Sequence, residues 1–370
     1  MTTGEEGMAR IYWKYEELLE DVQRRAQSVE VLGHTVDGSP LVVARGGGDK
    51  LPAIFITAGS HSTEQAGVTA AVQLIDELET EHQVYVIPTR DPIGMQGFAH
   101  ALSLGLGEVP AVESFPQLEA LMRDKGKVVF EEEDLLLVLI GDYGYASSRP
   151  TAERTCPQNY FYTRLQRLYA EEPARLAPLL GRRVFMTPGQ TGVEGTGDLG
   201  RAYTLIISQQ GEILHINRFH DTPWSPVEPR VTRDLMARIQ PGLSFDLHES
   251  QLMDDRYFLS ARRQPDAENE IWEQKAASAI IQGIRDSGAT LATEEDVMSL
   301  GPWFDTSEAG VAWLDATRRG EGFNLMDFTS RTYGMAFGTE MGMYGTFDSR
   351  VELAMITVRK AVEIFGERYR

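Results

Sequence analysis

The chain has 370 residues, 42% hydrophobic and 24% charged, the balance of a globular protein rather than a disordered or fibrous one. Fifty-five acidic against 35 basic residues leave a net charge of −20, which repels phosphate backbones and anionic lipid and disfavours nucleic-acid or membrane-surface partners. The lone Cys156 excludes an internal disulfide and a cysteine-rich zinc site.

The start, MTTGEEGMAR, lacks a basic region followed by an apolar run, and no apolar stretch approaches about 18 residues. A cytoplasmic protein without a membrane span is therefore expected. Ile11, Tyr15, Leu18, Leu19 and Val22 recur at helical spacing, predicting an amphipathic helix within residues 11–29. The next segment reads as two short strands about Asp37-Gly38, a hairpin. LPAIFITAG (51–59) is a near-continuous apolar run ending in glycine, the pattern of a strand buried on both faces. A helix over 63–80 and a strand over 83–89 complete a β-α-β unit, so the sheet is at least partly parallel. The rhythm returns with a helix over 226–240, a strand over 243–248 and a helix over 266–286. A strand near 334–342 and a helix over 349–366 close the chain. The stretch 95–200 breaks the pattern with short helical pieces (116–124, 158–180), one apolar run (134–141) and a glycine-rich segment. It reads as a large insertion at one edge of the sheet, inside a single catalytic domain spanning 1–370, and could cap the site.

Chemistry concentrates at four places. Ala58 to Glu64 lie where a strand empties into a helix, and open α/β sheets form sites outside the carboxyl ends of strands. His61 and Glu64, three apart, come to one side of a helical turn and offer nitrogen and oxygen to a zinc ion. The same residues also suit a plain helix start whose Glu favours the dipole. A catalytic zinc needs a third protein ligand and an open position. His248 in SFDLHES repeats the setting of the first pair, and Asp246 points to the same side of that strand, where it could orient an imidazole. A core-edge histidine bonded to Asp246 fits that pattern as well. Asn217-Arg218, between His215 and His220, suits a carboxylate that a guanidinium grips with two N–H groups, although a surface arginine in a turn looks alike. Glu340 is the one carboxylate in the apolar, glycine-flanked FGTEMG, where burial would raise its pKa toward a general base's range; an edge-strand glutamate facing solvent is the other reading. Gly195 to Gly200 satisfy GxGxxG, yet no strand precedes them, so nucleotide binding is not expected. Residues 59–62 lack the second glycine of a nucleophile elbow, which argues against a serine hydrolase.

Taken in order, these clusters resemble the zinc carboxypeptidase family. His61-Ser62-Thr63-Glu64 is similar to its HxxE metal pair, Asp91-Pro92-Ile93-Gly94 to its Asn-Pro-Asp-Gly turn, and Asn217-Arg218 to its carboxylate-holding pair. His248 is similar to the third zinc ligand, Glu340 to the general base, and HTVDGSPL (34–41) to the hairpin before the first ligand strand. The resemblance covers most of residues 11–366, outside about 95–200. It implies a mixed, mostly parallel eight-stranded α/β sheet with helices on both faces, one zinc ion on His61, Glu64 and His248, and Glu340 as base. It also implies an arginine that polarises the scissile carbonyl. Arg201 is the candidate by spacing, with Arg149 and Arg154 as rivals. Asp91 and Ile93 depart from the family's turn, and His215 stands where the family often has an aspartate, a task Asp246 would take. Tyr333 is a candidate for the family's tyrosine, and Asp327, near the presumed specificity pocket, would favour basic residues. The expected function is zinc-dependent hydrolysis of a peptide or amide bond beside a free carboxylate in a small peptide. The alternative is deacylation of an N-acyl amino acid, as in the aspartoacylase and succinylglutamate desuccinylase-like branch; a degenerate relative would bind without turnover.

Overall fold

The computed structural model describes residues 9–132, 134–148, 157–187, 199–222, 224–298, 308–317 and 322–370. Arg149, Arg154, Cys156 and Gly195 to Asp198 lie outside the described residues. The first four strands are β1 (Ser28–His34), β2 (Pro40–Gly47), β3 (Lys50–Ala58) and β4 (His82–Ile87). Six more follow: β5 (Lys127–Glu132), β6 (Leu135–Ile140), β7 (Tyr143–Ser148), β8 (Arg183–Met186), β9 (Tyr203–Ile207) and β10 (Ile213–His215). The last are β11 (Leu243–Ser250), β12 (Arg256–Arg263), β13 (Thr290–Leu291), β14 (Val311–Asp315) and β15 (Met335–Gly342).

The main sheet runs β1-β2-β4-β3-β11-β15-β12-β13, with β14 also paired to β12. It is mixed and mostly parallel, as expected, with nine strands among the described residues, one of them the two-residue β13. The second sheet runs β10-β9-β8-β7-β6-β5. The stretch 95–200 thus holds more strand than its sequence suggested, and β9 and β10 carry that sheet on to His215. The reason is length: strands such as RVFM and YGYASS, nearly all buried, show no period-two alternation for a sequence reading to catch.

Alternation in the three central strands sorts their side chains. Ile54, Ile56, Phe245, Leu247 and Phe337 pack into the largest apolar cluster, with helices Tyr15–Arg25, Gln65–Glu77, Ala267–Asp286 and Phe347–Arg368. The intervening residues face the other way. There Phe55 and Ala336 pack under Leu235 and Met236 of helix Val227–Ile239 and Leu325 and Met326 of helix Leu325–Thr332. The rest of that face, Thr57, Ser244, Asp246, His248, Gly338 and Glu340, is polar or glycine. β3 pairs in parallel with β4 on one side and β11 on the other, so it marks the switch point where a crevice opens at the carboxyl ends. No helix among the described residues is long and apolar enough to cross a membrane.

Candidate metal centre

Three strand ends meet in that crevice. β3 leaves the sheet through Gly59 at φ 60°, where a Cβ would lie 2.5 Å from Thr89 Oγ1, so only glycine makes the turn that delivers His61. Glu64 is the N-cap of helix Gln65–Glu77, yet its side chain caps nothing. Its carboxylate turns instead to two imidazoles: His61 Nδ1 lies 2.5 Å from one oxygen and His248 Nδ1 2.8 Å from the other. The helix start is served by Glu249, on the far face of β11, which accepts the Ala66 N–H at 2.8 Å and is itself paired with buried Arg350. Gly67 lets this helix approach, since a Cβ there would lie 2.9 Å from the Leu247 carbonyl.

Donor atoms of His61, Glu64 and His248 all lie within 4.8 Å of one another. Two imidazole nitrogens and a carboxylate are the donor set of a catalytic zinc site, so the residues fit such an ion. The second nitrogen of His248 is held 2.9 Å from Asp246 Oδ2, as an orienting carboxylate holds a ligand imidazole. Asp246 also accepts from Arg90 Nη2 at 2.6 Å and from Thr57 at 2.9 Å. Burial opposes charge on His248, but Asp246 and Glu64 outweigh it and hold its pKa well above the ordinary value. Burial would likewise raise Glu64 and Asp246. His61 and His248 reverse this for Glu64, and Arg90 and His248 hold Asp246 well below the usual carboxylate range.

Glu340 stands directly opposite His248 in the parallel β11–β15 ladder, its side chain on the same face. Burial pushes its carboxyl up to about 8, with Glu64 and Asp246 adding to the rise while His248 and Arg218 oppose it. Asn217 is buried with Oδ1 unpartnered, and the charge of Arg218 reaches Glu340, Arg90 and His215. From the second sheet and its loops, the rings of His215 and Tyr203 come within 4.9 and 5.9 Å of the His61 ring. Ser62 Oγ donates to the Ala202 carbonyl at 2.7 Å, tying the ligand loop to that sheet.

Other expected residues sit elsewhere. Arg201 is fully buried and donates to the carbonyls of Tyr12, Trp13 and Met95, with Trp13 also under its guanidinium at 5.0 Å. These bonds tie the N-terminal segment to the turn after Asp91. Asp327 is bound by Arg262 at 2.7 Å, which balances its charge. Tyr333 lies before the first residue of β15, about 16 Å of strand from Glu340. Asp91 accepts from Gly94 N–H and Thr204, and burial raises it to about 7, so the turn keeps its shape with an aspartate. Arg90 was missed; its one signal was a basic residue at the carboxyl end of a strand, just before Asp91-Pro92.

No protein-family model matches the chain, and no curated protein matches it. Among solved structures it is similar to a metallo-carboxypeptidase from Pseudomonas aeruginosa (12% identity, TM-score 0.49, covering 95% of this chain and 68% of that one). It is also similar to a metallo-carboxypeptidase from Burkholderia cenocepacia (11% identity, TM-score 0.47, 96% and 69%). A third likeness is to bovine thrombin-activatable fibrinolysis inhibitor (11% identity, TM-score 0.47, 96% of each chain). At these values the functional reading rests on the site's own residues.

Proposed function

We propose that the protein is a metal-dependent hydrolase of the carboxypeptidase type, cleaving an amide bond beside a free carboxylate. The observation that carries this reading is the convergence of His61 Nδ1 and His248 Nδ1 on Glu64, with Glu340 one strand away. A divalent cation such as zinc, held by these three side chains, supplies Lewis-acid polarisation of a carbonyl and lowers the pKa of water. Asp246 keeps the His248 ring turned so that Nδ1 faces Glu64. Glu340 takes a proton from the attacking water and passes it to the leaving amine. Its pKa of about 8 in the metal-free protein falls when positive charge sits beside it, so filling the site also readies the base. Asn217 and Arg218 hold the substrate carboxylate. Arg201 takes no part, because main-chain carbonyls engage its guanidinium.

A second reading uses the same chemistry, deacylation of small N-acyl amino acids; the rings of Tyr203 and His215 packed beside His61 support it. Hydrolysis of peptides with free or amidated carboxyl ends, set beside N-acyl amino acids, tests both. Cleavage that needs the free carboxylate supports the reading, and indifference to amidation overturns the role of Asn217-Arg218. Peptide cleavage without acyl-amino-acid cleavage removes the second reading.

A further inference from the structure

The loop that carries Asn217 and Arg218 holds a backbone outlier. Phe219, the next residue, sits at φ 69°, in the left-handed region that a bulky side chain rarely enters. Such a conformation persists only where its surroundings impose it, and residues of this kind gather at active sites and ligand clamps. Phe219 joins Arg218 to His220, so its dihedral sets the course of the chain as it leaves the carboxylate-holding pair.

The groups that impose it can be named. The Phe219 ring is buried with Ile206, Leu214 and Ile216 and meets Trp224 edge-on at 5.7 Å. The neighbouring backbone is tied on both sides: Arg218 N–H donates to the His215 carbonyl at 3.1 Å, and His220 N–H to the Phe323 carbonyl at 3.3 Å. The Phe219 carbonyl is held from helix Val227–Ile239. Arg233 of that helix donates through Nη1 to the carbonyls of Phe219 at 3.2 Å and Thr222 at 2.8 Å. Its Nη2 donates to Ser225 Oγ at 3.0 Å, and the Thr222 hydroxyl donates to the same Phe219 carbonyl at 3.1 Å. All three of these Arg233 bonds go to the loop and none to a carboxylate, in a chain with 55 acidic residues. A guanidinium is a rigid planar fork, so it fixes the two carbonyls relative to each other, which a flexible ammonium does not. The charges of Arg233, Arg218 and Arg90 all bear on His220, so the clamp stands beside the site.

We propose that Arg233 is a positioning residue: it holds Phe219 in the left-handed conformation and so sets Asn217 and Arg218 to receive a carboxylate. The inference rests on the proposed role of Asn217-Arg218 but not on turnover, because carboxylate binding reads it directly. The full chain, zinc-loaded for kinetics and metal-free for binding, is compared with Arg233→Leu, Arg233→Lys and Thr222→Val. Thr222→Val loosens the same loop while keeping Arg233, and decides the matter if the fold does not survive loss of the arginine. Kinetics use a blocked dipeptide and an N-acetyl amino acid with free carboxyl ends, and calorimetry compares N-acetyl-L-leucine with its amide. Arg233→Leu should raise KM by roughly ten- to a hundredfold, the loss expected for hydrogen bonds from a charged donor. The kcat and zinc affinity should stay within about twofold, since only binding of the carboxylate is disturbed. The same variant should lose the preference for N-acetyl-leucine over its amide. Arg233→Lys should recover part of both, and Thr222→Val should raise KM by roughly two- to tenfold. A merely structural arginine would lower the Tm and leave KM and the carboxylate preference of the folded protein unchanged; that result overturns the proposal while the hydrolase reading stands. If nothing is cleaved, yet the wild type prefers the carboxylate and Arg233→Leu removes the preference, the proposal stands and the hydrolase reading fails. If the wild type shows no carboxylate preference in either measurement, the roles of Asn217-Arg218 and Arg233 fall together, whether or not amides are cleaved.

Discussion

Asp246→Asn removes one negative charge from the centre of the site and almost no volume. Asp246 is buried between Arg90 at 2.6 Å and His248 Nε2 at 2.9 Å, and it is the carboxylate bonded to Arg90 among the described residues. Leaving one member of a buried pair without its counter-charge costs about 3–5 kcal/mol. Unfolding entropy of about 2.1 cal/mol/K per residue over 370 residues gives roughly 0.8 kcal/mol/K, so the Tm of the metal-free protein should fall by about 4–6 °C. The second effect is on the metal. An imidazole that loses its orienting carboxylate typically binds about 10–100-fold more weakly. Differential scanning calorimetry reads the first quantity, and competition with a chromophoric chelator reads the second. A lower Tm with unchanged zinc affinity would mean that Asp246 only neutralises Arg90. If both quantities were unchanged, the account of Asp246 as the link between Arg90 and His248 would be refuted.

Glu340→Gln should leave zinc stoichiometry intact and abolish turnover; normal hydrolysis by that variant removes Glu340 from the mechanism. Burial places Glu340 at about 8 in the metal-free protein and a bound cation lowers it, so kcat/KM should rise with pH through a midpoint below 8, and a midpoint above that value would contradict the coupling. A proton on His248 competes with the cation for Nδ1, and the raised pKa of this group means that the competition strengthens as pH falls. Zinc affinity measured across a pH series should therefore decline toward acid, and a flat series would show that this nitrogen is not a ligand. Arg201→Leu breaks hydrogen bonds from a buried cation to three carbonyls and should destabilise the protein by about 3 kcal/mol or more, with kcat per folded molecule unchanged. A selective loss of kcat would return Arg201 to the reaction.

Much of the fold was legible because it is built from long, strongly patterned elements. The apolar run 51–59 became β3, and the helices expected near 226–240 and 266–286 form at Val227–Ile239 and Ala267–Asp286. The second sheet was not legible: its strands are short, several such as β7 and β8 are buried on both faces, and pairing rather than local pattern defines them. At the site, the order of His61, Glu64, His248 and Glu340 was readable because each closes or follows a recognisable strand. The choice among arginines was not. Spacing favoured Arg201, yet its guanidinium reaches main-chain carbonyls, whereas Arg90 crosses from the end of β4 to Asp246.

From the amino-acid order alone came the residue types able to hold a cation, the β-α-β rhythm and the alternation that puts Asp246, His248 and Glu340 on one face. Tertiary structure alone decided which charges are balanced and which are left open: Asp327 meets Arg262, Glu249 meets Arg350, and Arg90 keeps two donors without partners. The physical reason is that alternation and spacing act over a few residues of the same strand or helix. Charge pairing depends instead on distances of a few ångströms between segments as far apart in the chain as Arg90 and Asp246, and burial, which multiplies the effect of each pairing, exists only once those segments have packed.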